Sequence, residues 1–71
     1  MTDRERQCLS LAASGMLAKE IASYLGVSVD TVNSHLGAAR KKLEARNTTQ
    51  AVTKALALGL LKPPGQVPFT P

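Results

Sequence analysis

The chain has 71 residues, a formal net charge of +4 and 44% hydrophobic residues, with one Tyr, one Phe and no Trp. A chain of this length forms one domain with one modest core, and it is too short for a catalytic cleft framed by two layers of secondary structure. Because Leu, Ile, Val and Ala must build that core, the composition favours an all-α fold.

Cysteine and histidine usage excludes several kinds of site. With only Cys8 and His35, the chain has neither an intrachain disulfide nor a Cys/His metal site, so we expect no metal and no cofactor. Cys8 is predicted to be a buried structural thiol. No apolar run approaches the roughly 20 residues of a membrane span, and no charged-then-apolar leader opens the chain. We therefore expect a cytoplasmic protein with no membrane partner.

The first two helices are predicted from their end signals. Thr2 and Glu5 have the spacing of a capping box, in which each side chain accepts a hydrogen bond from the other residue's backbone amide. A first helix is therefore predicted over residues 3–14, with Gly15 ending it in a left-handed conformation. A second, shorter helix is predicted over residues 18–25.

A three-residue turn, Gly26-Val27-Ser28, joins the second helix to a third, predicted over residues 29–43. Gly26 supplies a positive φ and Ser28 caps the third helix. Two helices joined by so short a turn are typical of a helix-turn-helix, whose second helix enters the major groove of DNA. Tight helix pairs also occur in purely structural bundles, so the turn alone does not decide between the two.

The third helix has two faces of different composition. Its apolar stripe consists of Val29, Val32, Leu36, Ala39 and Leu43, at the spacing of a helix packed on a core. The opposite face is small and polar, and it becomes basic toward the C-terminal end. Such a face suits a helix that approaches a polyanion closely. For this segment alone, an amphipathic helix with its polar side in water is the alternative.

The positive charge is concentrated in the second half of the chain. Up to Ala39 there are three basic and four acidic residues, whereas six basic residues and only Glu44 follow. A basic surface at one end indicates nucleic acid more than an acidic membrane, because no basic amphipathic helix here carries large apolar residues for burial in a lipid interface.

Asn47 and Gln50 repeat the capping-box spacing, and a fourth helix is predicted over residues 48–58. Its apolar residues cover more of the helix surface than packing on one small bundle requires. We expect part of that surface to meet a second copy of the chain. The residues predicted for this contact are Ala51, Val52, Ala55 and Leu58. The alternative is that Leu60 and Leu61 fold back over the extra apolar surface.

Residues 62–71, rich in proline, are predicted to form a flexible tail after a domain at residues 1–61.

Several motifs together resemble the DNA-binding domain of LuxR/GerE-type transcription regulators over about residues 2–61. The motifs, in order, are Asp3-Arg4-Glu5-Arg6, Ala13-Ser14-Gly15, Lys19-Glu20-Ile21-Ala22, Leu25-Gly26-Val27-Ser28, Thr31-Val32-Asn33-Ser34-His35-Leu36, Lys42-Leu43 and the run from Asn47 to Val52. Any one motif alone would be a weak signal, but their shared order and spacing is specific. The match is more similar to the quorum-sensing branch than to the response-regulator branch.

The resemblance implies a tetrahelical helix-turn-helix bundle that binds double-stranded DNA as a homodimer through the fourth helix. Because the small apolar residues of that helix bury little area, we expect the contact to be weak, and the symmetry of a dimer predicts a palindromic site. The resemblance also implies the C-terminal output domain of a bacterial regulator, with RNA polymerase as a further candidate partner. By residue match, the base-contacting positions are Asn33, Ser34 and Gly37. The backbone-contacting or helix-positioning residues are Lys19, Thr31, His35, Lys41 and Lys42, to which the charge of Arg40 adds a further candidate phosphate contact.

Two departures from the family pattern bear on readout. Ala18 replaces a polar residue that many relatives have, and Gly37 and Ala38 offer no hydrogen-bonding side chain, so shape readout gains importance.

His35 has no catalytic partner in the sequence, and we expect no enzyme. The alternative function is a small helical module that binds an acidic protein or RNA without base readout. Such a protein-binding helix would more naturally carry Leu, Met or aromatic anchors on its outer face.

Overall fold

The computed structural model describes residues 1–61, which form four α-helices and no strand. These are α1 (Asp3–Ala13), α2 (Ala18–Leu25), α3 (Val29–Lys42) and α4 (Thr48–Ala57). The predicted all-α, four-helix fold is confirmed. The predicted limits of α2 are correct, and α1, α3 and α4 each end one residue earlier because the last predicted residue is the C-cap. The predicted tail at residues 62–71 lies outside the described residues.

The helix starts agree with the capping signals in the sequence. The Thr2 hydroxyl accepts from the Glu5 amide at 3.1 Å, and the Glu5 carboxylate accepts from the Thr2 amide at 2.9 Å. The Ser28 hydroxyl accepts from the Thr31 amide at 3.1 Å and so begins α3. Because each bond joins residues three apart, local sequence was sufficient to predict it.

The predicted capping box at the start of α4 is only half formed. The Asn47 side chain accepts from the Gln50 amide at 2.8 Å, as predicted. The Gln50 side chain, however, accepts from the amide of Arg46 at 2.6 Å and not from that of Asn47. The returning bond therefore holds the residue before the cap, which ties the α3–α4 link to the first turn of α4.

The core lies where the four helices meet, and Leu9, Ile21 and Val32 are fully buried there. Cys8 is also fully buried, as predicted, and burial raises the pKa of its thiol. The buried hydrophobic residues are Cys8, Leu9, Ile21, Ala22, Val32, Leu36, Ala39, Ala51, Ala55 and Leu61. The inner stripe of α3 is thus the predicted one from Val32 onward, whereas Val29 is 40% exposed.

Two of the residues predicted to contact a second copy belong instead to this core. Ala51 and Ala55 have no exposed surface within the domain, so they have none to offer a partner. Leu61, which follows α4, is only 7% exposed and packs on the same core, as the fold-back alternative expected, whereas Leu60, its other residue, is 36% exposed. The small side chains of α4 therefore allow close packing inside one domain. Leu58 remains 67% exposed and Val52 half-buried.

The turn between α2 and α3 sets the position of the third helix. Gly26 has a φ of 70°, and the Val27 amide donates to the Ala22 carbonyl at 3.0 Å, which closes α2. An L-residue at that φ would be strained, so glycine suits the position. Ser28 then caps α3 directly, and the two helices form a helix-turn-helix.

Candidate nucleic-acid interface

The outward strip of α3 begins with short polar side chains. Asn33 and Ser34 are exposed, and Gly37 and Ala38, one turn further along, are half-buried. All four lie away from the stripe formed by Val32, Leu36 and Ala39, which is buried in the core. The three predicted base-contacting residues, Asn33, Ser34 and Gly37, therefore share one accessible strip of α3. Short side chains here let the helix backbone approach a groove closely.

Thr31 has a local structural role at the start of this strip. Its hydroxyl lies 2.9 Å from the hydroxyl of Ser28, the residue that caps α3 through the Thr31 amide. Thr31 is half-buried. Its hydroxyl thus supports the capped first turn of α3, which fits the helix-positioning part of the role predicted for it.

His35 lies on the flank of α3 and is half-buried. Among the described residues 1–61, its ring has no hydrogen-bond partner. Around the helix axis His35 lies roughly 100° from Ser34, on the side of the strip away from Asn33.

Lys19 on α2 and Lys41 on α3 are exposed cations on the two helices of the helix-turn-helix. Within residues 1–61 neither forms a salt bridge, since the ion pairs there are Arg6 with Asp3 and Lys42 with Glu5. In that part of the chain no carboxylate compensates their charges. An unpaired ammonium on a mobile stem is suited to a phosphate.

Lys42 differs from Lys41 because it binds within the domain. Its Nζ donates to Oε1 of Glu5 at 2.8 Å, joining the last turn of α3 to the first turn of α1. The Glu5 carboxylate is buried, and the hydrogen bonds from Lys42 and from the Thr2 amide lower its pKa from 4.5 to about 2. Lys42 therefore links α3 to α1 within the domain, and its ammonium group is shared with Glu5.

The Arg40 side chain runs back along α3 toward Gly37. A Cβ atom placed on Gly37 would lie 3.6 Å from the Arg40 guanidinium, so this group covers the glycine from one turn away. Arg40 is half-buried. The charge of Arg40 alone predicted a phosphate contact, whereas the general tendency of long helical side chains to point back over the preceding turn is the signal for its place beside Gly37.

The link between α3 and α4 contains features that sequence reasoning missed. Arg46 is exposed there and adds a cation close to the C-terminal end of α3. Lys54 of α4 donates to the Glu44 carbonyl at 2.8 Å and holds the link against α4. The charge count indicated a basic end to the chain. It did not show that Lys54 and Lys42 are engaged inside the domain.

The described helices include none that is long and apolar enough to cross a membrane. Comparison with known families then identifies the bundle. Residues 1–55 match the model of the bacterial regulatory proteins of the luxR family. The chain belongs to the luxR family. Its members are transcription regulators with a helix-turn-helix domain, and the predicted resemblance is confirmed.

Individual relatives agree with this assignment. The chain is 48% identical over 63 residues to the transcriptional activator protein VanR of Vibrio anguillarum, covering 89% of this chain and 26% of VanR. It is 41% identical over 63 residues to the transcriptional activator protein AhyR of Aeromonas hydrophila, covering 89% of this chain and 24% of AhyR. It is 47% identical over 62 residues to the quorum sensing-dependent regulator RpaR of Rhodopseudomonas palustris, covering 87% of this chain and 26% of RpaR. The chain thus spans about a quarter of the length of these relatives.

A solved structure supports the same fold. The structure of the transcription factor GerE superposes with a TM-score of 0.83 at 32% sequence identity, covering 87% of this chain and 92% of that one. The four-helix arrangement is therefore that of GerE, and the luxR-family domain here includes the complete helix-turn-helix.

Proposed function

We propose that this luxR-family domain binds double-stranded DNA with sequence specificity, as the C-terminal output domain of a transcription regulator. The supporting observation is the outward strip of α3, which is accessible, short in side chains and directly preceded by the capped turn of the helix-turn-helix. A helix presented in this way fits the major groove. Such a domain acts in the bacterial cytoplasm, where the chromosome lies.

In this proposal the strip of α3 meets base edges and the exposed lysines meet phosphates. Asn33 and Ser34 can hydrogen-bond to bases, and Gly37 adds no side chain of its own to the strip. Lys19 and Lys41 supply phosphate contacts from the two helices of the motif. Thr31 and Lys42 position α3 through Ser28 and Glu5. His35, beside the strip, contacts the DNA backbone.

We further propose that two copies bind a palindromic site, because one helix-turn-helix covers too few base pairs to find a single site in a genome. The dimer contact is weak and involves the exposed end of α4. RNA polymerase is a further proposed partner, since VanR and AhyR are transcriptional activators.

The decisive experiment titrates the domain against a duplex selected from random DNA, against an unselected duplex and against RNA of equal length, at several salt concentrations. We expect tighter binding to the selected duplex and a log–log salt slope of about −0.9 per phosphate contact. Equal binding to all three nucleic acids would support the alternative of a helical module without base readout. Binding that did not change with salt would contradict the DNA function.

The phosphate contacts are tested in the same titration with Lys41→Ala. This variant should reduce the magnitude of the slope by about one and weaken binding to both duplexes alike. Arg6→Ala is the matched control, because it removes one positive charge that Asp3 already pairs at 2.6 Å. An equal change of slope in both variants would show that net charge, and not a contact from Lys41, determines the effect.

A further inference from the structure

The Arg40 side chain lies beside Gly37, in the space that a side chain at position 37 would occupy. On a helix with about 100° per residue, Arg40 leaves the backbone roughly 60° around from Gly37, toward the core side. Long helical side chains point back toward the N-terminus, over the preceding turn. The guanidinium accordingly reaches a point 3.6 Å from where the Gly37 Cβ would be. The guanidinium thereby lies beside Gly37 in the outward strip, and Asn33 leaves the helix within roughly 20° of Arg40 around the axis.

No carboxylate in residues 1–61 holds the Arg40 guanidinium. Glu44 is four residues further along, at ion-pair spacing on a helix, but the salt bridges of the described residues are Arg6 with Asp3 and Lys42 with Glu5. The guanidinium also makes no hydrogen bond there to another side chain or to the backbone. Within residues 1–61 none of its five N–H donors is used, and half-burial restricts where the side chain can move.

The ligand that fits these donors in a major groove is guanine. The planar fork of an arginine matches the O6 and N7 acceptors of guanine, and this pair is the commonest specific contact to a base. A phosphate contact would instead require a side chain directed sideways, toward the groove walls. The missing side chain at Gly37 leaves the central space of the strip to the guanidinium.

We infer that Gly37 and Arg40 act as one reading unit, in which the Arg40 guanidinium lies over Gly37 and reads a guanine in each half-site. The inference rests on the proposed DNA binding and deepens it by naming a specificity-determining residue. It changes the role predicted for Arg40 from phosphate contact to base contact. It gives Gly37 the role of leaving space, with no contact of its own to a base edge.

The test compares Arg40→Lys with the wild type on selected and unselected duplexes, followed by selection of new sites from random DNA. Lysine retains the charge but loses the planar fork, so the salt slope should be unchanged. Affinity for the selected duplex should fall by roughly 5- to 150-fold, the range for loss of one bidentate base contact, while affinity for the unselected duplex is retained. The preference for guanine should weaken at one position per half-site.

Gly37 is tested by a pair of substitutions. Gly37→Ala should leave base preference unchanged, because a Cβ at 3.6 Å from the guanidinium is in ordinary van der Waals contact. Gly37→Leu fills the space and should weaken preference at the same base position as Arg40→Lys. The double variant Gly37→Leu/Arg40→Lys should then lose little more than Gly37→Leu alone. Circular dichroism confirms the helices in each variant.

The outcomes separate this inference from the function on which it rests. A wild-type domain that bound no DNA, or bound all DNA alike, would overturn the proposed function itself. A selective wild type whose Arg40→Lys variant retained full affinity and preference would overturn only the reading unit, and Arg40 would then be a phosphate contact. A change at a different base position in Gly37→Leu would show that the two residues do not act together.

Discussion

Glu5 serves two elements with one carboxylate oxygen. Its Oε1 accepts from the Thr2 amide at 2.9 Å, which caps α1, and from Lys42 Nζ at 2.8 Å, which joins α3 to α1. The capping role was predicted from sequence because the two residues are three apart. The bond to Lys42 spans 37 residues, and no local pattern indicates a partner at that separation. This ion pair thus adds to the buried stripe of α3 a link to α1 that only the structure shows.

The Glu5 contact predicts a pH dependence of stability. The hydrogen bonds from Lys42 and Thr2 lower the pKa of Glu5 from 4.5 to about 2, so the folded protein favours the charged carboxylate. This stabilisation is fully present above pH 4.5 and is lost as the pH falls toward 2. Urea unfolding between pH 7 and pH 2 should show a smaller loss of stability for Glu5→Gln than for the wild type.

Lys42→Met is the companion variant for that measurement, since it keeps the apolar stem and removes the charge. It should reduce the loss of stability at low pH only in part, because the Thr2 amide still donates to Glu5. Identical pH profiles for the wild type and Glu5→Gln would mean that other carboxylates control acid unfolding.

Asn33 is the second residue at which a single substitution is informative. An exposed asparagine on the strip of α3 fits the N6 donor and N7 acceptor of adenine. Asn33→Ala should cost about 1–3 kcal/mol on the selected site and flatten preference at one position per half-site. Selection from random DNA measures this directly, with Ser10→Ala on α1 as a polar-to-alanine control. Unchanged preference in Asn33→Ala would leave Asn33 only a role in positioning the helix.

Each of the four helices is followed by a residue with a positive φ, and after α3 that residue is not a glycine. Gly15, Gly26 and Gly59 have φ values of 96°, 70° and 75° after α1, α2 and α4. After α3 the corresponding residue is Glu44, with a φ of 53°. The Glu44 amide donates to the Lys41 carbonyl at 3.1 Å, and the Ala45 amide to that of Arg40 at 2.8 Å. These two bonds are those of a Schellman ending.

Replacing Glu44 should therefore stabilise the domain. A left-handed conformation destabilises a residue that has a Cβ by about 1–2 kcal/mol. Glycine removes this strain, but its greater conformational entropy in the unfolded state offsets part of the gain. We expect Glu44→Gly to raise the free energy of unfolding by about 1 kcal/mol in urea titrations. Glu44→Gln is the matched control, because it removes the charge at the helix C-terminus without relieving φ. An equal gain in both variants would assign the effect to charge.

Helix limits were predictable to within a residue because caps, glycines and apolar spacing are local signals, as Ser28 and Gly26 illustrate. The packing of α4 was not predictable from its sequence. Alanines at a helix surface fit either a second copy or a closely packed core, and the sequence of α4 does not distinguish the two. The burial of Ala51 and Ala55 depends on α1 and α3, which approach α4 only in the folded bundle.

In the folded domain, burial of Ala51 and Ala55 separates the two predicted dimer residues that remain accessible, Val52 and Leu58. Leu58 and Val52 are separated by roughly 120° around the helix axis, and the buried Ala51 and Ala55 lie between them. Val52 lines a shallow groove between α1 and α4, together with Ala12 and Thr49. Leu58 is 67% exposed just after the end of α4. It is thus the remaining predicted residue with a large apolar surface available to a second copy.

The assembly prediction follows from this exposure. Leu58→Glu should preserve the circular-dichroism signal of the helices, because the side chain lies in water, and should spare binding to a single half-site. Cooperative binding to two half-sites about one helical turn, or 10 base pairs, apart should be lost. Thr53→Glu provides the matched control, since Thr53 is exposed on the opposite side of α4. Ala55→Glu should instead unfold the domain, because a charge would enter the core. If Leu58→Glu bound both half-sites as cooperatively as Thr53→Glu, the contact between copies would not involve the end of α4.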